Sequence, residues 1–340
     1  MGKGKTKKIL LYVFAGIFIY SMLPLIFLYL TPESSKENNN QSNIQKLKGN
    51  DGSYFSFIVF GDNHAGLIFN DSSAMKLIWH MNREDRFRKI PIDFVASVGD
   101  VTLDGARGHY KTFKKLQALI KWPFVTAIGN HDSRDLFEEY CGVKDFSFVN
   151  RNSYFIFLDN EIGNLSDEQF SWFIAELQAG AKEKHIFVFL HKPPFDPYQQ
   201  EWYNMDNQPW AYKFRKLCEE YAVDMVFSGH KHMFKHEKFG NVDYIVTGGG
   251  GMLIEIPESD GGYLHYVRVM VNNDYVTYET RKIDPPFWEF VTYYFWKELI
   301  YIVRDLYGTG YIFNKNNKHQ KLKVSDLNNR EYWLDVFDKI

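Results

Sequence analysis

Cysteine is almost missing from this 340-residue chain: Cys141 and Cys218 are the only two. That excludes a disulfide framework, and a pair so distant in sequence gives no redox compartment. An excess of one charge sign is missing as well. Lys and Arg number 40 against 42 Asp and Glu, a formal net charge of −2, so composition offers no electrostatic footprint for a nucleic-acid partner. Long uncharged apolar runs are missing after residue 30. The aromatic segment Phe287 to Tyr307 is interrupted by Glu289, Lys297, Arg304 and Asp305, which makes it a poor membrane span. No feature of the sequence identifies a protein partner.

What is present bounds the rest. Apolar residues make up 45% of the chain and charged residues 24%, enough for a sizeable core in one large domain or two small ones. Ile9 to Leu30 is apolar or small throughout and uncharged, and Lys3, Lys5, Lys7 and Lys8 precede it. That length crosses a hydrocarbon core of about 30 Å. A cleaved signal would have a shorter apolar region, about 7–15 residues, and a small-residue cleavage site, so an uncleaved signal anchor is expected over residues 1–30. The positive-inside rule then puts the Lys cluster in the cytoplasm and the remainder in an extracytoplasmic space, as a single-pass membrane protein. Residues 31–50 are polar and read as a flexible linker.

From Ser53 onward the pattern is strand, turn, helix, repeated. Tyr54–Phe60 reads as a strand that stops at Gly61-Asp62-Asn63-His64. Ile92–Val98 stops at Gly99-Asp100, with Asp104 just beyond. Phe124–Ile128 stops at Gly129-Asn130-His131-Asp132, His185–Leu190 at His191-Lys192-Pro193-Pro194, and Val223–Phe227 at Ser228-Gly229-His230-Lys231-His232. Helices are expected at Ser73–Arg88, His109–Lys121, Asp167–Ala179 and about Trp210–Tyr221. Ser166 and Gln169 form a capping box before the third. Each polar strand end alone is an ordinary turn. Five carrying carboxylate, imidazole and amide groups, along the edge where open α/β sheets bind ligands, point to a metal site. Two carboxylates, several imidazoles and a carboxamide, with no thiolate nearby, suit Mn, Fe or Zn. Seven such ligands exceed the needs of one ion, but two ions sharing a carboxylate would use them all.

In these five ordered blocks the chain, over about residues 53 to 282, resembles the calcineurin-like metallophosphoesterases. His191-Lys192-Pro193-Pro194, the preceding Asp167 to Trp172 and the run Tyr244 to Gly251 look like the branch of cyclic-nucleotide-phosphodiesterase-like and purple-acid-phosphatase-like proteins. The resemblance implies a four-layer αββα sandwich of two mixed β-sheets flanked by helices, over residues 51–283. It implies one metal held by Asp62, His64, Asp100 and His232, and a second by Asp100, Asn130, His191 and His230, with Asp100 as the bridge. His131 would serve the leaving-group oxygen, oriented by Asp104 or Asp132. Asn130 and Arg107 are candidate substrate contacts, although Arg107 reads first as a surface residue. Leu103 stands where purple acid phosphatases have a ligand Tyr, and His64 where they have Gly, so a ferric-tyrosinate site is not expected.

The expected activity is hydrolysis of a phosphoester by a metal-bridging hydroxide. A phosphodiester or a lipid-linked phosphate at the membrane surface leads; a soluble phosphomonoester or a non-catalytic scaffold of the same fold are the alternatives. The loop Phe195 to Met205 reads either as a pocket wall or as a surface loop. Residues 284–340 read as an aromatic, helical extension, with 285–307 packing across the domain or lying on the membrane.

Overall fold

The computed structural model describes residues 26–47, 51–84, 90–197, 208–252, 254 and 256–283, with isolated positions 12, 16, 19 and 23 of the first apolar run. The expected extension 284–340, most of the 195–205 loop and most of the expected anchor lie outside the described residues. Among those described, no helix is long and apolar enough to cross a membrane.

Among the described residues, eleven strands form two mixed sheets. The first has the order β11-β10-β1-β2-β3, from β1 (Tyr54–Phe60), β2 (Ile92–Ser97), β3 (Phe124–Thr126), β10 (His265–Asn272) and β11 (Tyr275–Lys282). The second has the order β4-β5-β6-β7-β9-β8, from β4 (Phe146–Asn150), β5 (Ser153–Phe157), β6 (His185–Phe189), β7 (Met225–Ser228), β8 (Phe234–Phe239) and β9 (Val242–Thr247). β1, β2 and β3 run parallel, as do β5, β6, β7 and β9. β10 is antiparallel to both β1 and the edge strand β11, and the edge strands β4 and β8 are antiparallel to their neighbours.

Strand alternation builds the layers. Phe55, Phe57 and Val59 of β1 face the second sheet and meet Phe155, Phe187, Phe189 and Phe227. Phe57 stacks on Phe94 at 5.2 Å and meets Phe187 edge-on at 5.0 Å, so much of the chain's aromatic content fills this inter-sheet core. Ile58 and Phe60 point the other way, under α2 (Ile68–Met81), α3 (Arg107–Ala118) and α4 (Arg134–Tyr140). α5 (Asp167–Gly180) and α6 (Pro209–Glu220) cover the outer face of the second sheet through Phe173, Leu177 and Phe214. The capping box at Ser166 and Gln169 is present. The layers are helices, sheet, sheet, helices.

Two expectations need correction. β8, with the sequence FKHEKF, was not expected: it is a half-exposed edge strand whose charges hide any apolar alternation. Residues 31–50 are not a free linker where they are described. They contain α1 (Asn40–Leu47), which docks on the open edge of β3. The Asn40 amide donates to Thr126 O at 3.0 Å and accepts from Thr126 N at 2.9 Å. Asn43 Nδ2 donates to Phe124 O at 2.9 Å. Side-chain amides thus complete the pairing that an edge strand lacks, and Leu47 enters the inter-sheet core. Upstream, Leu28 at the end of the first apolar run is buried in the cluster beneath α2 and α3.

Candidate metal centre

The parallel strands of both sheets deliver their carboxyl ends to one place, and the expected ligands lie there. Asp62, His64 and His232 each offer an atom within 4.8 Å of the others, and so do Asp100, His191 and His230. These two groups fall within the two ligand sets implied by the resemblance, and a third group, His64, Asp100 and His131, lies within the same reach. Asp100 lies between them: its Oδ2 is 3.4 Å from His64 Nε2 and 3.2 Å from His191 Nε2. Asn130 Oδ1 is 3.1 Å from His191 Nε2.

The backbone is forced into place to do this. Asp62, His64, Asp100 and His230 all have positive φ, at 61°, 44°, 51° and 65°. Side chains in that region cost about 1–3 kcal/mol each and persist at functional sites. Gly129 and Gly229 are demanded by close approach. A Cβ on Gly129 would lie 2.2 Å from Asp100 Oδ1, and one on Gly229 the same distance from Asp62 Oδ2.

Hydrogen bonds fix the ligands' directions. His191 Nδ1 donates to Val98 O at 2.9 Å, which presents the lone pair of Nε2 to Asp100 and Asn130. Asp62 accepts from His230 N at 3.0 Å, and Asp100 Oδ1 from His131 N at 2.8 Å.

The electrostatics ask for a cation. A lone pair facing two oxygen acceptors is tolerable only with a proton or metal between them. Burial alone would lower the His191 pKa, yet the Asp100 carboxylate overrides it and pushes it up to about 9. Burial raises the Asp62 pKa well above the usual carboxylate range and lowers that of His64 well below the usual imidazole range. Both His64 ring nitrogens are buried without a hydrogen-bond partner, an arrangement that is costly unless a ligand takes them up. For Asp100, burial opposes ionisation but His191 and His64 outweigh it and hold the carboxyl below its ordinary value. The donor set fits two divalent ions.

Three expected roles are not what the structure gives. His131 Nδ1 donates to the backbone carbonyl of Leu103 at 2.7 Å, not to Asp104 or Asp132. Asp104 is exposed in the turn ahead of α3, accepting from Ala106 N at 3.0 Å and lying 2.6 Å from His109 Nδ1. Asp132 is a buried clip. It accepts from Val101 N, Thr102 N, Thr102 Oγ1 and Gly129 N, tying the loop after β2 to the loop after β3. Arg107 pairs with Glu139 at 2.6 Å and lies over the Tyr140 ring, so its guanidinium is engaged on the helical surface and not at the ligands.

One functional residue escaped the sequence reading. Asn160, fully buried beyond β5, accepts from His191 N at 2.8 Å and Lys192 N at 3.0 Å and donates to Lys192 O at 2.8 Å. The signal was a sixth strand ending in Asp159-Asn160.

Comparison with known proteins agrees with this geometry. Residues 55–234, just over half of the chain, match the model of the calcineurin-like phosphoesterase family. The chain is 31% identical over 147 residues to a probable glycerophosphodiester phosphodiesterase GpdQ of Arcobacter nitrofigilis, over 38% of this chain and 52% of that protein. It is 27% identical over 161 residues to the 3′,5′-cyclic adenosine monophosphate phosphodiesterase CpdA of Pseudomonas aeruginosa, over 42% of this chain and 54% of that one. The chain therefore spans about half the length of the curated relatives it matches. Among solved structures, purple acid phosphatase PPD1 of yellow lupin (Lupinus luteus) superposes with a TM-score of 0.51 at 17% identity, over 68% of this chain and 52% of that chain. This is a likeness of fold.

Proposed function

The chain belongs to the calcineurin-like phosphoesterase family, and on that premise we propose that it hydrolyses a phosphodiester with two divalent metal ions. The observation that carries the reading is the pair of ligand groups around Asp100, one with Asp62, His64 and His232 and the other with His191 and His230. When bound, Mn, Fe or Zn ions supply Lewis-acid polarisation of the phosphoryl group and a nucleophile at neutral pH.

The residues divide the work. Asp62, His64, Asp100 and His232 would hold one ion, and Asp100, Asn130, His191 and His230 the other. His131 would contribute a proton at Nε2 in its imidazolium form: its Nδ1–H is taken by Leu103 O, which fixes the ring and leaves Nε2–H for the leaving-group oxygen. The ring stands 4.6 Å from that of His64. Asp132 keeps the two ligand loops in register. The names of the two curated relatives, both phosphodiesterases, favour a diester over a monoester.

Location at a membrane surface belongs to the same reading. Support comes from the uncharged run Ile9 to Leu30 behind four lysines, and from Leu28, which is buried against the catalytic domain. The coupling would keep the site near the membrane and bring lipid-linked phosphodiesters within reach, with the catalytic domain outside the cytoplasm.

The test uses the full-length protein in detergent with Mn and compares a chromogenic phosphodiester with a monoester. Faster turnover of the diester, lost in Asp100→Ala, is the expected result. Bound metal with turnover of neither substrate would sink the enzyme reading. Protease protection of the catalytic domain in right-side-out vesicles would reverse the orientation.

A further inference from the structure

Lys192 follows the ligand His191, and its backbone is clamped on both sides by the single side chain of Asn160, through Lys192 N at 3.0 Å and Lys192 O at 2.8 Å. Pro193 and Pro194 follow, with φ restricted by their rings. The base of the lysine stem is therefore preset. The stem runs across the loop beyond β5, where a Cβ on Gly163 would lie 3.5 Å from Cδ and 3.6 Å from Nζ.

The ammonium is half-buried, yet among the described residues it makes no hydrogen bond and no ion pair. Burial lowers its pKa, and the carboxylates that act against this are Glu161 and Asp100. Its charge is also felt by His230. The ammonium is thus near enough to Asp100 and His230 for its charge to act on both. Arg134, at the start of α4, is already committed to the same loop: it pairs with Asp159 at 2.7 Å and with Glu161 at 2.8 Å. A partly desolvated ammonium without a counterion gains more from an incoming anion than an exposed one does.

We propose that Lys192 binds a non-bridging oxygen of the substrate's phosphoryl group, a contact that rests on the phosphoesterase reading. Lys192 takes the role that Arg107 does not fill, from the opposite sheet. It offers a point charge on a flexible stem and not a planar fork, so it can follow the oxygen through the change in geometry at phosphorus.

The test compares the full-length, Mn-loaded wild type with Lys192→Met and Lys192→Arg. Binding of inorganic phosphate is measured by calorimetry, alongside KM and kcat on the chromogenic diester and metal content. Lys192→Met is expected to weaken phosphate binding and raise KM by about tenfold, with a smaller change in kcat, as for loss of one charged hydrogen bond. Lys192→Arg should recover most of the affinity, and metal content should not change. Phosphate affinity within about twofold of wild type in Lys192→Met overturns the proposal. So does a parallel loss of bound metal, because the lysine would then act through His191. If the wild type binds metal and phosphate but hydrolyses nothing, the phosphoesterase reading fails, while the calorimetric comparison still decides the role of Lys192.

Discussion

The imidazole of His131 is oriented by the backbone carbonyl of Leu103, 2.7 Å from Nδ1. A carbonyl can only accept, so Nδ1 carries a proton and Nε2 faces the site. No side chain is needed to set this orientation. His131→Ala should therefore lower kcat by about 10²–10⁴, whereas Asp104→Ala should leave kcat within about threefold, because its partners are Ala106 and His109. Steady-state kinetics on the diester checks both. A hundredfold loss in Asp104→Ala would restore the carboxylate as the orienting group.

Asp132 should behave as a structural residue. Its removal strands three buried N–H donors and one hydroxyl, so Asp132→Ala is expected to destabilise the fold by about 2–4 kcal/mol. Asp132→Asn retains acceptor capacity and should lose less. Denaturant unfolding of the metal-free proteins gives the order, and equal stability of the two variants would contradict the clip.

The motif glycines should be intolerant of a methyl group for a reason other than backbone torsion. In Gly129→Ala and Gly229→Ala the new Cβ would press on Asp100 and Asp62. Displacing a ligand by a fraction of an ångström should cut kcat/KM by about 10²-fold and lower metal occupancy, with the fold retained in circular dichroism. Normal metal content and turnover would mean that the carboxylates do not approach so closely.

The strap α1 should contribute stability without touching the chemistry. Asn40→Ala leaves Thr126 N and O at the edge of β3 unpaired, an expected loss of about 1–3 kcal/mol visible as a lower unfolding midpoint. Removal of residues 1–50 should destabilise the domain more than this single change does. If the truncated protein melts at the wild-type temperature, α1 is a passive passenger.

Asp71 gives a pH dependence with a definite sign. Burial raises its pKa from 3.8 to about 6, against the opposing effects of the Gly66 N–H and of His109. The folded state therefore binds this proton more tightly than the unfolded state. The resulting stabilisation is full below about pH 4 and is lost as pH rises through about 6. Asp71→Asn, which keeps an acceptor for Gly66 N, should be more stable than wild type at pH 7 by up to about 3 kcal/mol, with the difference vanishing towards pH 4. Unfolding free energies across pH 4–7.5 measure this, and a constant difference would refute the assignment.

The sequence by itself determined the strand ends and which metal-compatible groups they carry. Period-2 apolar runs closed by Gly-Asp, Gly-Asn-His and Gly-His-Lys-His are local signals, because strand alternation and turn chemistry act over a few residues. Parallel strands separated by helices then bring their carboxyl ends to one edge, so Asp62, Asp100, Asn130 and His191 could be named without coordinates. The edge strand β8 was hidden because only Phe234 and Phe239 of its residues are apolar, and they pack into different clusters with no alternation between them.

Only the tertiary structure decided what holds those ligands. Leu103 O on His131, Asp132 on Thr102, Asn160 on Lys192 and Asn40 on Thr126 are contacts across 28, 30, 32 and 86 residues. Each donor and acceptor is chemically ordinary, and loop closure alone brings them within reach, so no spacing in the chain encodes them. The same holds for Arg107, whose charge was legible but whose partner Glu139 lies on the next helix. Side-chain type fixed which groups could ligate a metal. Long-range packing fixed the direction in which each one points.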